Sequence, residues 1–304
     1  MRRPTLKRGS RVAVVSPASA AKSEAIDEGC ERLRAFGYEP VVMPNAKVRG
    51  PLYYAGTAQQ RAEDLHAAFA DKSMDGVLCT RGGWGSAELL PYLNAHLIWA
   101  NPKVFVGYSD HTSLHVWFWN ECKLPTYYAP MVAADWSKDD GVDARSWSAL
   151  VEGHDARVKF DADDGMKVLR PGVAEGRLLG GCLSIVTESL GTPWAFKLDE
   201  PTVLFVEDIG VKPYQWDRFL QHLKFAGAMK HVRGVVFGDM SANVEAAENG
   251  FLEQACLHAL GAFDGPVAIG LKCGHMDAQN RSLALGVPVM FTCDAEASLE
   301  FAGE

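Results

Sequence analysis

Residues 103–121 read KVFVGYSDHTSLHVWFWNE. An apolar run leads into Gly107, a polar run follows, and a second apolar stretch begins at Leu114. The pattern predicts a buried strand over 103–107, a tight turn at Gly107-Tyr108-Ser109-Asp110, and a helix over 111–121. The same unit recurs towards the N-terminus. RVAVVS (11–16), PVVMP (40–44) and GVLCT (76–80) read as strands, and TYYAP (126–130) closes the series. Helices are expected over about 23–36 and 58–70, with a short one within 86–93. Strands without apolar–polar alternation, interleaved with helices, predict an α/β fold with a parallel sheet. Ligands of such sheets bind beyond the carboxyl ends of the strands. Both Arg81-Gly82-Gly83-Trp84-Gly85 and Gly107-Tyr108-Ser109-Asp110 fall there.

The texture changes over 135–165, which is charged, Gly-containing and weakly periodic. We expect an N-terminal α/β domain over 1–150, a crossover over 151–165, and a second domain over 166–304. The second part alternates short strand-like runs with helices near 182–190 and 215–226, the latter with Trp216, Phe219, Leu220 and Leu223 on one face. The strand runs RGVVFGD (233–239) and GPVAIGL (265–271) follow. A net charge of −8 leaves no electrostatic footprint for nucleic acid or an anionic membrane surface. The seven cysteines form no CxxC pair, so a reducing compartment is expected, with neither zinc nor a disulfide framework. The start offers only VAVV before Ser16-Pro17, too short for a secretory leader. No run reaches the ~20 apolar residues of a membrane span. A soluble cytoplasmic protein is expected.

Ser109 has two readings. A serine between strand and helix can cap the helix, accepting a backbone N–H. It can also be a nucleophile lifted above the sheet, with backbone N–H groups placed for an oxyanion. His111 stands where the elbow G-x-S-x-G has its second glycine, so that motif is incomplete. A serine nucleophile needs a base, and the base an orienting partner. Of nine histidines, His66, His115, His222 and His258 fall within expected helices, and His111 is too close in sequence to reach back. His275, in LKCGHMDAQN just past a strand, is the candidate base, or else an exposed loop residue. TVLFVED carries an apolar strand straight into Glu207 and Asp208. A carboxylate at a buried strand end must be paired, which favours Glu207 as the partner of His275 and leaves Asp208 as a solvated turn residue. CTRGGWG (79–85) is neither a P-loop nor a dinucleotide loop, and its glycines suit a second oxyanion donor. No His/Cys/Asp cluster has metal-ligand spacing, and no cofactor is expected.

Together these segments resemble the LD-carboxypeptidase family of serine peptidases (S66 type). The resemblance runs through LKRGSRVAVVSPAS, CTRGGWGSAELLPYL, NPKVFVGYSDHTSLH, LLGGCLSIVTESLGTPW, VLFVEDIGVKPYQWDRFLQHLKFAG and GHMDAQNRSLALGVPV, in that order along essentially the whole chain. It implies a flavodoxin-like N-terminal domain and a smaller β-rich α+β C-terminal domain. It further implies Ser109 as nucleophile, Glu207 as orienting acid and His275 as general base, a triad assembled across the two domains, with oxyanion donors from the backbone of Asp110 and the Gly82-Gly83 loop. A homodimer acting on a small peptide substrate is implied as well. Two departures stand out. Cys182 occupies a position that is commonly Asn, and Tyr128-Ala129-Pro130-Met131 replaces a common His-Gly-Pro-Met.

The family divides into murein-recycling enzymes, which release terminal D-alanine from murein tetrapeptide, and microcin-C immunity peptidases, which cut an aminoacyl- or peptidyl-nucleotide amide. Chain length favours the first. Trp136 and Trp147, in the crossover, keep the second open, either as base-stacking platforms or as ordinary packing residues. Arg81 is a candidate clamp for a substrate carboxylate or a salt bridge holding the glycine loop, beside Gly82 and Trp84 as substrate-binding residues. A reading of another class is a non-catalytic peptide- or sugar-binding protein.

Overall fold

Five apolar runs of the first half become parallel strands. In the computed structural model, which describes residues 3–155, 157–276 and 279–301, these are β1 (Arg11–Val15), β2 (Glu39–Val42), β3 (Gly76–Cys79), β4 (Val104–Gly107) and β5 (Thr126–Tyr128). They lie in the order β2-β1-β3-β4-β5, all parallel, the doubly wound order of a flavodoxin-like sheet. A sixth strand, Leu283–Leu285, joins beside β5 from the far end of the chain.

The connecting helices follow local signals. Helix α1 (Ser23–Phe36) buries Ile26, Gly29, Cys30 and Leu33 at helical spacing, and Gly37 ends it at φ +114° with its N–H on the carbonyls of Leu33 and Arg34. Gly29 is required by close approach, since a Cβ there would lie 2.1 Å from the Val132 carbonyl oxygen. Helix α2 (Ala58–Ala70) starts on a capping box between Thr57 and Gln60. A 3₁₀ helix over Ser86–Tyr92 precedes α3 (Ala95–Ala100), which the sequence does not announce and which Asn94 caps. The helix expected over 111–121 is broken into a 3₁₀ turn (Ser109–His111), α4 (Thr112–Trp117) and a π-helical turn (Phe118–Cys122). The short α5 (Ala144–Ser146) is capped by Asp143.

The second sheet has eight strands. They are β6 (Val158–Phe160), β7 (Lys167–Arg170), β8 (Gly172–Cys182), β9 (Thr202–Glu207), β10 (Val232–Gly238), β11 (Val267–Leu271) and, past Leu283–Leu285 (β12), β13 (Pro288–Cys293) and β14 (Ala297–Phe301). The order is β6-β14-β13-β8-β9-β10-β11-β7. Its centre, β8 to β11, is parallel and its flanks are antiparallel. Among the described residues, the α-helices of this part are α6 (Leu183–Ser189), α7 (Pro213–Phe225) and α8 (Asn249–Leu260). Helix α7 buries Trp216, Leu220 and Leu223, while Phe219 is half-buried. The α/β class with a flavodoxin-like first sheet and a β-rich second part therefore stands as expected.

The chain divides into one unit of Met1–His154 with Asp277–Ala284 and another of Asp155–Met276 with Leu285–Glu304. The charged stretch 151–165, expected as a crossover, already contains β6, in which Val158 and Phe160 point inward and Lys159 outward. The segment Asp277–Ala284, expected with the second domain, groups with the first unit. The reason is pairing: β12 joins β5, the Asn280 N–H donates to the Gly141 carbonyl, and the Ser282 N–H donates to Ser146 Oγ. Among the described residues, no helix is long and apolar enough to cross a membrane.

Candidate active site

Ser109 follows the buried strand β4 and adopts φ +64°, a left-handed conformation for a residue with a side chain. Such a conformation costs about 1–3 kcal/mol and persists only where its surroundings over-determine it. Here they do. The Gly107 carbonyl accepts from His115 Nε2 at 2.8 Å, and the Ser109 N–H donates to Tyr128 Oη at 3.0 Å. Asp110 Oδ2 accepts from the Ser86 N–H at 2.8 Å. The helix-cap reading of Ser109 fails, because a cap residue is extended and the residue in the cap position of this turn is Tyr108, at φ −149°.

The glycine loop after β3 lies against this corner. A Cβ on Gly82 would fall 2.8 Å from Ser109 Cβ, 3.0 Å from its Oγ and 3.4 Å from the Asp110 nitrogen, so only glycine leaves the hydroxyl uncovered. Gly83 has φ +107°, and a Cβ there would meet Ser19 Oγ at 2.4 Å. The loop is tethered at several points. His111 Nε2 bonds to the Arg81 carbonyl (3.0 Å) and its Nδ1 to Ser86 Oγ (2.8 Å). Burial lowers this ring's pKa to about 4, so it is neutral near pH 7. A neutral ring facing a carbonyl must donate from Nε2, which leaves Nδ1 to accept the Ser86 hydroxyl. The Trp84 N–H donates to Ser19 Oγ (3.1 Å), and the buried Arg61 guanidinium donates to the carbonyls of Pro17 and Gly85 and pairs with Glu88.

Arg81 thus holds the loop through its carbonyl. Its side chain is exposed and forms no ion pair with the described residues. Trp84 is 37% exposed. Burial raises the pKa of the Asp110 carboxyl, and its role towards Ser86 is structural.

In the other unit, β9 is buried along its length and ends on Glu207, which is fully buried. Glu207 Oε2 accepts two bonds from His275, from Nδ1 at 2.8 Å and from the main-chain N–H at 3.0 Å. The expected pairing of these two residues is present. It fixes the tautomer with the proton on Nδ1 and puts the basic lone pair on Nε2. Two glycines make room for the carboxylate. A Cβ on Gly274 (φ +104°) would lie 2.4 Å from Glu207 Cδ, and one on Gly238 would lie 2.6 Å from Glu207 Cβ.

Asp208 is not the solvated turn residue expected. It is 5% exposed, and its Oδ2 accepts the Ser184 N–H at the start of α6. Burial raises its pKa. Cys182 pairs with Glu207 across β8 and β9, with its Sγ 3.5 Å from Ser184 Oγ. Burial, and then the charges of Asp208 and Glu207, raise its thiol pKa well above the ordinary value. The residue is a buried thiol packed beside Glu207 and Ser184.

Trp136 and Trp147 are packing residues. They are 5% and 0% exposed, and their rings meet edge to face at 4.9 Å. Trp147 Nε1 donates to Tyr38 Oη, whose own proton goes to Glu152. Neither ring is available to stack on a base. Sequence reasoning overlooked Tyr128, Ser86 and Gly238. Only Tyr128 carried a signal, as a departure from the common His.

The chain matches the LD-carboxypeptidase N-terminal domain over residues 12–129 and the LD-carboxypeptidase C-terminal domain over 175–291. It is 36% identical over 290 residues to a Streptomyces coelicolor protein assigned as a carboxypeptidase by name, covering 94% of this chain and 91% of that one. It is 32% identical over 292 residues to a Bacillus subtilis protein assigned as a murein peptide carboxypeptidase, covering 93% and 88%. Its fold matches the crystal structure of an MccF-like protein from Bacillus anthracis with a TM-score of 0.90 over all of both chains, at 22% identity. On the two domain matches and these relatives, the chain belongs to the LD-carboxypeptidase family of S66 peptidases.

Proposed function

We propose that this peptidase is a serine LD-carboxypeptidase that releases terminal D-alanine from murein tetrapeptide. Ser109 Oγ attacks the carbonyl of the residue preceding D-alanine while His275 Nε2 takes its proton. The oxyanion of the tetrahedral intermediate is received by the backbone N–H groups of Asp110 and Gly83. Collapse breaks the C–N bond. His275 returns the proton to the departing amine, and D-alanine leaves an ester on Ser109. Water, deprotonated by the same imidazole, then attacks that ester and frees the shortened peptide and the serine. Glu207 holds the tautomer and stabilises the imidazolium. Arg81 takes the substrate's terminal carboxylate, while Gly82 and Trp84 line the approach to Ser109. The homodimer implied by the family resemblance and the cytoplasmic location expected from the sequence belong to this reading.

The observation that carries the reading is Ser109 at φ +64°, fixed by hydrogen bonds on either side, in a chain of this family. The Bacillus subtilis relative's name supports murein as substrate. The fold match to an MccF-like protein favours a second reading, hydrolysis of an aminoacyl-nucleotide amide by the same serine chemistry. A side-by-side assay of murein tetrapeptide and an aminoacyl-sulfamoyl-adenosine separates the two. Faster turnover of the tetrapeptide is expected, and turnover of the nucleotide conjugate alone replaces the first reading with the second.

A further inference from the structure

We propose that Tyr128 is a positioning residue for the nucleophile: its hydroxyl accepts the Ser109 N–H, holds the serine in its left-handed conformation and keeps that N–H away from the oxyanion. The inference rests on the reading of Ser109 as nucleophile.

The contact is built into the sheet. Tyr128 ends β5, lies opposite Gly107 in the β4–β5 register, and is fully buried. Its ring is held between those of His115, at 5.7 Å, and Tyr108, at 5.9 Å. Its hydroxyl is therefore delivered to a fixed point, 3.0 Å from the Ser109 nitrogen. A serine at φ +64° relaxes towards negative φ unless its neighbours hold it. That rotation about N–Cα would swing Cβ and Oγ away from the position beside Gly82. The bond also assigns the donors at this corner. A main-chain N–H committed to a phenol is not aimed at charge that develops on a substrate, so the corner offers the Asp110 N–H and the second donor comes from the glycine loop.

Tyr128→Phe keeps the ring between His115 and Tyr108 and removes only the oxygen. Mispositioning of the attacking atom predicts a kcat about 10–100-fold lower on murein tetrapeptide, with KM within about twofold. The rate at which a fluorophosphonate labels Ser109 should fall in the same proportion. A merely structural role predicts a lower melting temperature with kcat unchanged. Should the Phe variant fold poorly, replacing Tyr128 with fluorinated tyrosines preserves shape and, at a pH where the phenol stays protonated, weakens the acceptor, and kcat should fall stepwise with fluorination. Wild-type kcat in Tyr128→Phe, or no response to fluorination, overturns the proposal provided that Ser109→Ala is inactive. An active Ser109→Ala overturns the nucleophile reading itself.

Discussion

The Ser109 corner and the Glu207–His275 pair each fix a side chain in place, in opposite ways. At the first, the proposed nucleophile itself takes the left-handed conformation, and polar tethers from Tyr128, His115 and Ser86 hold the backbone around it. At the second, Glu207 is an ordinary extended strand residue, and glycine takes the left-handed position at 274. The left-handed conformation strains the proposed nucleophile in one region and falls on glycine, which adopts it freely, in the other. The first should therefore be broken by removing tethers, and the second by adding atoms.

The largest effect is expected from Glu207→Gln. The amide can still accept from His275, but the charge that stabilises the imidazolium is gone. The kcat should drop by about a thousandfold to ten-thousandfold at little cost in folding, by analogy with removal of the triad acid elsewhere. A fall of less than tenfold would show that the pair is not catalytic. Gly274→Ala adds a Cβ at 2.4 Å from Glu207 Cδ and a side chain at φ +104°. Denaturant unfolding should show a loss of about 1–3 kcal/mol, with the His275 geometry disturbed. Wild-type stability and activity would break the contrast, since the second region would then tolerate added atoms.

His111→Gln probes the tethers through pH. Burial lowers the folded pKa of His111 from 6.5 to about 4, so the folded protein refuses a proton that the unfolded chain accepts between those values. The stability from this group is full above pH 6.5 and is lost as pH falls towards 4, at about 1.4 kcal/mol per pH unit. The Gln variant should show a shallower decline over that window than the parent, measured by urea unfolding from pH 7 to 4. Equal slopes would mean that His111 is not buried neutral. The smallest effect on activity is expected from Trp147→Phe, which removes the indole bond to Tyr38 and part of a fully buried ring, and should cost about 1–3 kcal/mol of stability without altering kcat. A selective loss of turnover on a nucleotide conjugate would instead give that ring a substrate role.

Much of the first sheet was legible because its signals are local. Helices 23–36 and 58–70 match α1 and α2 to the residue, since Gly37 and the Thr57–Gln60 box mark their ends within a few residues. The return of 277–284 to the first unit was not legible. It depends on pairing of a three-residue strand with β5, far away along the chain, and short apolar runs carry no record of their partner. The site divides in the same way. The pairing of Glu207 with His275 followed from a carboxylate at a buried strand end, which has to find a partner. Residue type alone leaves Ser109 readable as a cap or a nucleophile, because cap preferences follow residue type, whereas φ is set by tertiary tethers from residues 86, 115 and 128. Burial of Trp136 and Trp147 likewise depends on Phe36 and Tyr38, a hundred residues upstream.

Chemistry by Ser109 on a murein tetrapeptide is the proposal on which the function rests. Its most direct test is D-alanine release by the wild type and by Ser109→Ala, with unfolding curves to confirm that both are folded. Release by the wild type and a loss of at least about a thousandfold in the variant are expected. Undiminished release by a folded Ser109→Ala would contradict it.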